Sequence, residues 1–233
     1  MTVAQLQKRE RISGIATVIM MFAAFYLIFF FAPTERTMGI VQKIFYIHVP
    51  AAFAGFAAFA VVAGYSIAFL RTRNPWHDRA AYAAAEVGVL FTTINLVTGM
   101  LWAKPTWNVY WSWDPRLSTL FILWFIYTAY LMLRKFVADD EKGARFAAVY
   151  AIVGTADIPI VYFSIWWWTT LHPQPVIVGA AEGDGMHPDI AIAYWFSAVT
   201  FLVFAFFLFM FRLRLEKSRE QLEKMQRKIA FAE

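Results

Sequence analysis

The side chains in this 233-residue chain whose types and spacing could do chemistry are a few histidines, a dense group of tryptophans and the cations beside them. The segment from Trp102 to Thr119, WAKPTWNVYWSWDPRLST, sets Trp102, Trp107, Trp111, Trp113 and Tyr110 around Lys104, Asp114 and Arg116. Indole prefers places where its ring is buried or interfacial while its N–H stays paired. Such a segment therefore suits the edge of a bilayer or the face of a flat ligand. His48 stands in YIHVPAA and His172 in WWWTTLHPQP. A flat apolar macrocycle with a central iron needs aromatic walls, axial nitrogens and cations for its carboxylates. His48 and His172 could supply the nitrogens, the four tryptophans the stacking surface, and Lys104 or Arg116 the carboxylate partners. The same residue types also fit an interfacial aromatic belt with solvated or hydrogen-bonded loop histidines. Residue types alone leave both readings open, and the three tryptophans Trp166 to Trp168 share the ambiguity.

The elements that must position these side chains are membrane helices. With 61% hydrophobic residues and apolar runs of about twenty residues, the chain reads as an all-α polytopic membrane protein. It has no cysteine, which excludes disulfides and thiolate chemistry and leaves histidine as the ligand for any iron or zinc. Six spans are expected at about Ile12–Ala32, Ile47–Leu70, Ala80–Leu101, Leu117–Leu133, Phe146–Trp168 and Ile190–Phe211. The first run is too long for a signal-peptide core and is expected to be a retained span. Residues 1–211 then form the transmembrane domain, and 212–233 a basic helical tail.

Seventeen of the 21 lysines and arginines lie in the N-terminal flank, the second and fourth connections and the tail. By the positive-inside rule both termini are cytoplasmic. The basic flanks read as topology signals, which argues against nucleic-acid binding. His48, His172 and His187 all fall on the outward side, and His77 on the inward side. Pro50 suits the first turn of a helix, so His48 is expected just before the second span. Pro173 disfavours helical geometry at His172 and ends the fifth span near it. Asp114 followed by Pro115 reads as an N-cap and first-turn pair for the fourth span. Asp157, two residues before Pro159 in the fifth span, is either a functional group or a residue that fixes the helix at a proline kink. Glu86 and Asn95 of the third span are expected to pair with other spans.

The tryptophan segment resembles the WWD signature of the heme-handling proteins of cytochrome c biogenesis. With YIHVPAA before the second span and WWWTTLHP after the fifth, nearly the whole chain is similar to one branch of them, the CcmC family. The resemblance implies that His48 and His172 are axial ligands of heme b. It also implies that Trp102, Trp107, Trp111, Trp113, Asp114 and Arg116 form the signature that meets heme and the periplasmic heme chaperone CcmE. The implied setting is the bacterial inner membrane, with the heme site facing the periplasm and with the ATP-binding transporter subunits CcmA and CcmB and the small membrane protein CcmD as partners. The chain departs from the family pattern at Asn108, where glycine is common, and at Tyr110, where a tryptophan often stands. It carries no Walker-type glycine loop, so ATP hydrolysis would belong to partners, and a heme-delivery protein is expected rather than an enzyme. Two rival readings are a transporter, with a polar path through Asp157 and Glu86, and an electron-transfer cytochrome b. The latter would place histidine pairs within the bilayer rather than at one face.

Overall fold

A computed structural model describes residues 2–137, 141–172 and 186–230. Among them six helical stretches are long and apolar enough to cross a membrane, and no strand occurs. Helix α1 (Val3–Tyr26) opens on a capping box, in which Thr2 and Gln5 satisfy each other's backbone N–H groups. It runs into a π-helical turn at Leu27–Phe31. The carbonyls left over at that end are met from a distance: the buried ammonium of Lys43 donates to Ile28 and to the Ala32 carbonyl, the latter at 2.9 Å. In the connection that follows, the N–H groups of Met38 and Thr37 hold the Glu35 carboxyl below its usual range.

Helix α2 (Phe45–Thr72) begins earlier than its apolar run suggests, because the preceding 3₁₀ turn (Ile40–Ile44) feeds directly into it. Pro50 therefore lies inside the helix, and His48 lies in its first turn rather than ahead of it. A proline cannot bond the carbonyl four residues back, here that of Tyr46. Ser197, from the last helix of the chain, replaces the missing donor, its hydroxyl lying 2.5 Å from the Tyr46 carbonyl. The carbonyl that Pro50 leaves without its helical donor is thus satisfied from a neighbouring helix.

Helix α3 (Pro75–Trp107) starts at an Asn74 cap and extends six residues past its expected end. The first part of the tryptophan segment is consequently helical, and only residues 108–114 form the connection to α4 (Pro115–Phe136). The fifth span is divided into α5 (Glu141–Thr155) and α6 (Asp157–Trp167). Pro159 disrupts the ladder there, and the Ala156 N–H closes onto the nearer Val153 carbonyl at 3.0 Å. Helix α7 (Pro188–Ala230) is continuous for 43 residues, about 65 Å, so residues 212–230 extend the sixth span without a break.

The centre of the bundle is where α2, α3 and α4 meet. Phe59 stacks on Tyr127 at 3.7 Å, and Gly88 admits the phenyl ring, since a Cβ there would stand 2.3 Å from it. One end of the bundle is tied by charge. Arg134 grips Asp78 through two hydrogen bonds of 3.0 and 2.5 Å, Arg212 pairs with Glu86, Arg79 with Glu223, and Arg214 with Glu10. The other end gathers the tryptophans.

Candidate functional site

At the tryptophan end, α3 presents Asn95, Thr98, Gly99 and Trp102 toward the first turn of α2. The spacing follows from the helix, because residues three and four apart share a face. The Asn95 amide donates to the His48 carbonyl at 2.7 Å. Gly99 leaves room for the imidazole: a Cβ at that position would sit 3.0 Å from His48 Cε1. Trp102 meets the ring edge-on, with centroids 5.7 Å apart and planes at 87°. Behind it Phe45 packs against both Trp102 and Tyr194, giving the half-buried histidine an aromatic back wall.

The tautomer of His48 can be assigned from its partners. Thr98 has one hydroxyl proton, and the Ile94 carbonyl takes it at 2.7 Å. Toward His48 Nδ1, 3.1 Å away, the same oxygen is then an acceptor, so Nδ1 carries the ring proton. The Asn95 amide nitrogen is farther from Nδ1, at 3.3 Å, and directs one of its two N–H groups to the His48 carbonyl, so the shorter Thr98 contact sets the tautomer. Nε2 is left with its lone pair. This is the arrangement in which a histidine binds a metal, one nitrogen held by an outer partner and the other offered.

His172 reaches the same region from the end of α6. The imidazole of His48 lies within electrostatic reach of both His172 and Arg116, which brings the two histidines and the signature arginine to one place. Arg116 is half-buried in the first turn of α4. It lies in the field of Tyr162 and Asp114, yet its guanidinium makes no hydrogen bond or ion pair with the described residues. Lys104 differs. Its ammonium donates to the Asn108 carbonyl at 3.0 Å and to the Asn108 side chain at 3.1 Å, which closes the end of α3. Of the two cations expected to serve a ligand carboxylate, Arg116 has no side-chain partner among the described residues, whereas Lys104 is engaged with Asn108.

Asp114 does cap α4, accepting from the Arg116 N–H at 3.0 Å. Its second oxygen does something the sequence did not signal: it accepts from the Thr170 hydroxyl at 2.6 Å and from the Leu171 N–H at 2.7 Å. The carboxylate is only 6% exposed, so it acts as a buried clasp between the signature segment and the stretch that carries His172.

The tryptophans divide. Trp102 belongs to the wall at His48. Trp111 and Trp113 pack on each other at 5.6 Å, and Trp111 also packs on Phe121. Trp113 is 78% exposed, and none of Trp107, Trp111 and Trp113 makes a ring contact with His48. Trp166, Trp167 and Trp168 are exposed at the end of α6. Asn108 adopts a left-handed conformation (φ 60°) as the C-cap of α3, a place that favours glycine and tolerates asparagine best among other residues. The departure from glycine at this position therefore suits its geometry.

His187 is exposed at the start of α7, where its Nδ1 accepts from the Asp189 N–H at 3.3 Å. The residues between His172 and Met186, which hold most of the glycine-rich third connection, lie outside the described set. Asp157 sits at the α5–α6 break with one buried carboxylate oxygen lacking a partner among the described residues. Glu86 is paired with Arg212. Thr98 and Thr170 were not singled out in the sequence. The available signals were local: Thr98 lies one helical turn from Asn95 and from Trp102, and Thr170 lies two residues before His172.

The donor set is chemically suited to an iron porphyrin: two imidazoles, an aromatic wall and a guanidinium that is uncommitted among the described residues, all at one end of the bundle. Comparison with known proteins points the same way. A family model described as heme exporter protein C (CcmC) matches residues 2–228. The chain is 36% identical over 195 residues to heme exporter protein C of Bradyrhizobium diazoefficiens, covering 84% of this chain and 74% of that protein. It is 37% identical over 187 residues to a ccmC-like mitochondrial protein of cytochrome c biosynthesis from Marchantia polymorpha, covering 80% and 76%. It is 32% identical over 198 residues to heme exporter protein C of Haemophilus influenzae, covering 83% and 78%.

Proposed function

The chain belongs to the heme exporter protein C (CcmC) family, and from that premise we propose that it binds heme at the outer face of the membrane and hands it on during cytochrome c maturation. The cargo is heme b, held between His48 and His172. Arg116 binds a propionate, and Trp102 closes the His48 side. Trp107, Trp111 and Trp113, with Asp114 and Arg116, form the rim at which the periplasmic chaperone CcmE takes delivery. The membrane is the bacterial inner membrane, the transmembrane domain is residues 1–211 with a cytoplasmic tail beyond it, and CcmA, CcmB and CcmD are the membrane partners. The observation that carries this reading is the Asp114 clasp that ties the stretch leading to His172 to the start of α4, where Arg116 stands, at the tryptophan end of the bundle and within electrostatic reach of His48.

Delivery requires a grip that can be undone. Two neutral imidazoles at an aromatic rim provide one, since exchange of a single axial nitrogen is enough to begin release. The exposed face of Trp113 gives an incoming protein a surface to meet. The test is transfer in a purified system. Heme-loaded protein is mixed with the soluble domain of the chaperone, and heme is followed as it leaves one and appears on the other. Transfer that stops in His172→Ala supports the reading. If the chain alone moves heme across a liposome membrane and Asp157→Asn abolishes that movement, transport is its function and delivery is not.

A further inference from the structure

The signature carboxylate is directed toward the chain that leads to His172. Its outer oxygen receives two donors from that chain, the Thr170 hydroxyl at 2.6 Å and the Leu171 N–H at 2.7 Å. Thr170 Oγ1 in turn accepts the His172 backbone N–H at 3.0 Å. The result is a relay, His172 N–H to Thr170 hydroxyl to Asp114 carboxylate, with a second tie at Leu171. Asp114 is itself rigid, because its other oxygen is fixed at the first turn of α4. After Trp167 the chain leaves the helix: the Trp168 N–H still bonds the Ser164 carbonyl at 3.1 Å, but Trp168 itself is extended, at φ −132° and ψ 156°, and beyond it no backbone hydrogen bond among the described residues ties the stretch to α6. Past Trp168, the described hydrogen bonds of the backbone that leads to His172 tie it to Asp114 at the start of α4.

We propose that Asp114 and Thr170 are positioning residues that set the place of His172, so that the acidic member of the signature acts on heme through the backbone of an axial ligand and not by touching the heme. This rests on the assignment of His172 as a ligand. It explains why an acid suits the site. Aspartate offers one oxygen to the α4 cap and a second, acceptor-only oxygen to two donors, whereas asparagine keeps the cap but turns a donor toward Thr170 and Leu171. Partners in the shell outside a metal's ligands commonly change affinity by about 10- to 100-fold when removed.

The experiment uses the full chain expressed with its partners in heme-replete cells, as wild type, Thr170→Val, Thr170→Ser, Asp114→Asn and His172→Ala. Two quantities are read: the low-spin absorption and electron paramagnetic resonance signals of bound heme, and backbone hydrogen exchange over residues 168–172 in heme-free protein. Thr170→Val is near-isosteric and keeps the fold testable even where Asp114→Asn proves unstable. The expected result is faster exchange in the segment, a shift from low-spin toward high-spin heme and about 10-fold or greater loss of heme retention in Thr170→Val, with Thr170→Ser restored to wild-type behaviour. Wild-type spectrum and wild-type exchange in Thr170→Val would overturn the positioning role while leaving the axial assignment standing. A low-spin spectrum that survives in His172→Ala would overturn the axial assignment and the proposal with it.

Discussion

Arg116 and Lys104 show how much a single contact can decide. Both are basic residues of the tryptophan segment, and residue type alone does not separate them as partners for a carboxylate. In the folded chain Lys104 spends its donors on Asn108, while the Arg116 guanidinium is left without a partner among the described residues, close to His48. A planar guanidinium with free donors suits a carboxylate, and a charge-assisted bond of that kind is worth about 1.5–3 kcal/mol. Arg116→Gln is accordingly expected to weaken heme retention by roughly tenfold or more, with the low-spin spectrum unchanged, since no axial ligand is touched. Lys104→Gln is expected to have the smaller effect on retention. Equilibrium retention measured in detergent against a competing apoprotein distinguishes the two. At this scale the sequence was informative about residue type and silent about commitment. His48, His172 and Asp114 stood out by their neighbours, whereas Thr98 and Thr170 look like ordinary helix and loop threonines until the chain brings them to an imidazole and a carboxylate.

At the scale of elements, the spans were legible because apolar runs of bilayer length leave few alternatives. Their ends were not. The apolar run of α3 stops near Leu101, yet the helix continues to Trp107, because the Asn108 cap and the Lys104 bond to it lie outside any hydropathy signal. The start of α2 was misplaced for a related reason. Proline normally marks a first turn, but Ser197, distant in sequence, supplies the donor that lets Pro50 sit deeper. That substitution of one donor for another has a measurable consequence. Ser197→Ala should destabilise the protein by about 0.5–1.5 kcal/mol, the range for an interhelical hydrogen bond in a membrane protein. In a Pro50→Ala background the helix recovers its own bond to Tyr46, and the cost of Ser197→Ala should fall toward zero. Equal costs in the two backgrounds, measured by unfolding in mixed micelles as a double-mutant cycle, would show that Ser197 does not serve the proline. The division of the fifth span at Asp157 was foreshadowed by Pro159, and the Asp157 oxygen that lacks a partner among the described residues fits a residue at a helix break.

The whole molecule is polarised. One end is bound together by ion pairs between α1, α3, α4 and α7, and the other carries His48, His172 and the aromatic rim. The positive-inside count anticipated this division, since it placed His48 and His172 on one side before any helix was positioned. What it could not supply was their convergence, which depends on α2, α3, α4 and α6 meeting at the same end. The central claim is that this end closes two histidines on one iron. The most direct measurement is the low-temperature electron paramagnetic resonance spectrum of the heme-loaded protein, recorded for wild type, His48→Ala, His172→Ala and the exposed His187→Ala. A low-spin bis-imidazole signal in wild type and His187→Ala, lost in each of the other two, is the predicted result. A low-spin signal that persists in His48→Ala or His172→Ala, or that disappears only in His187→Ala, would contradict it.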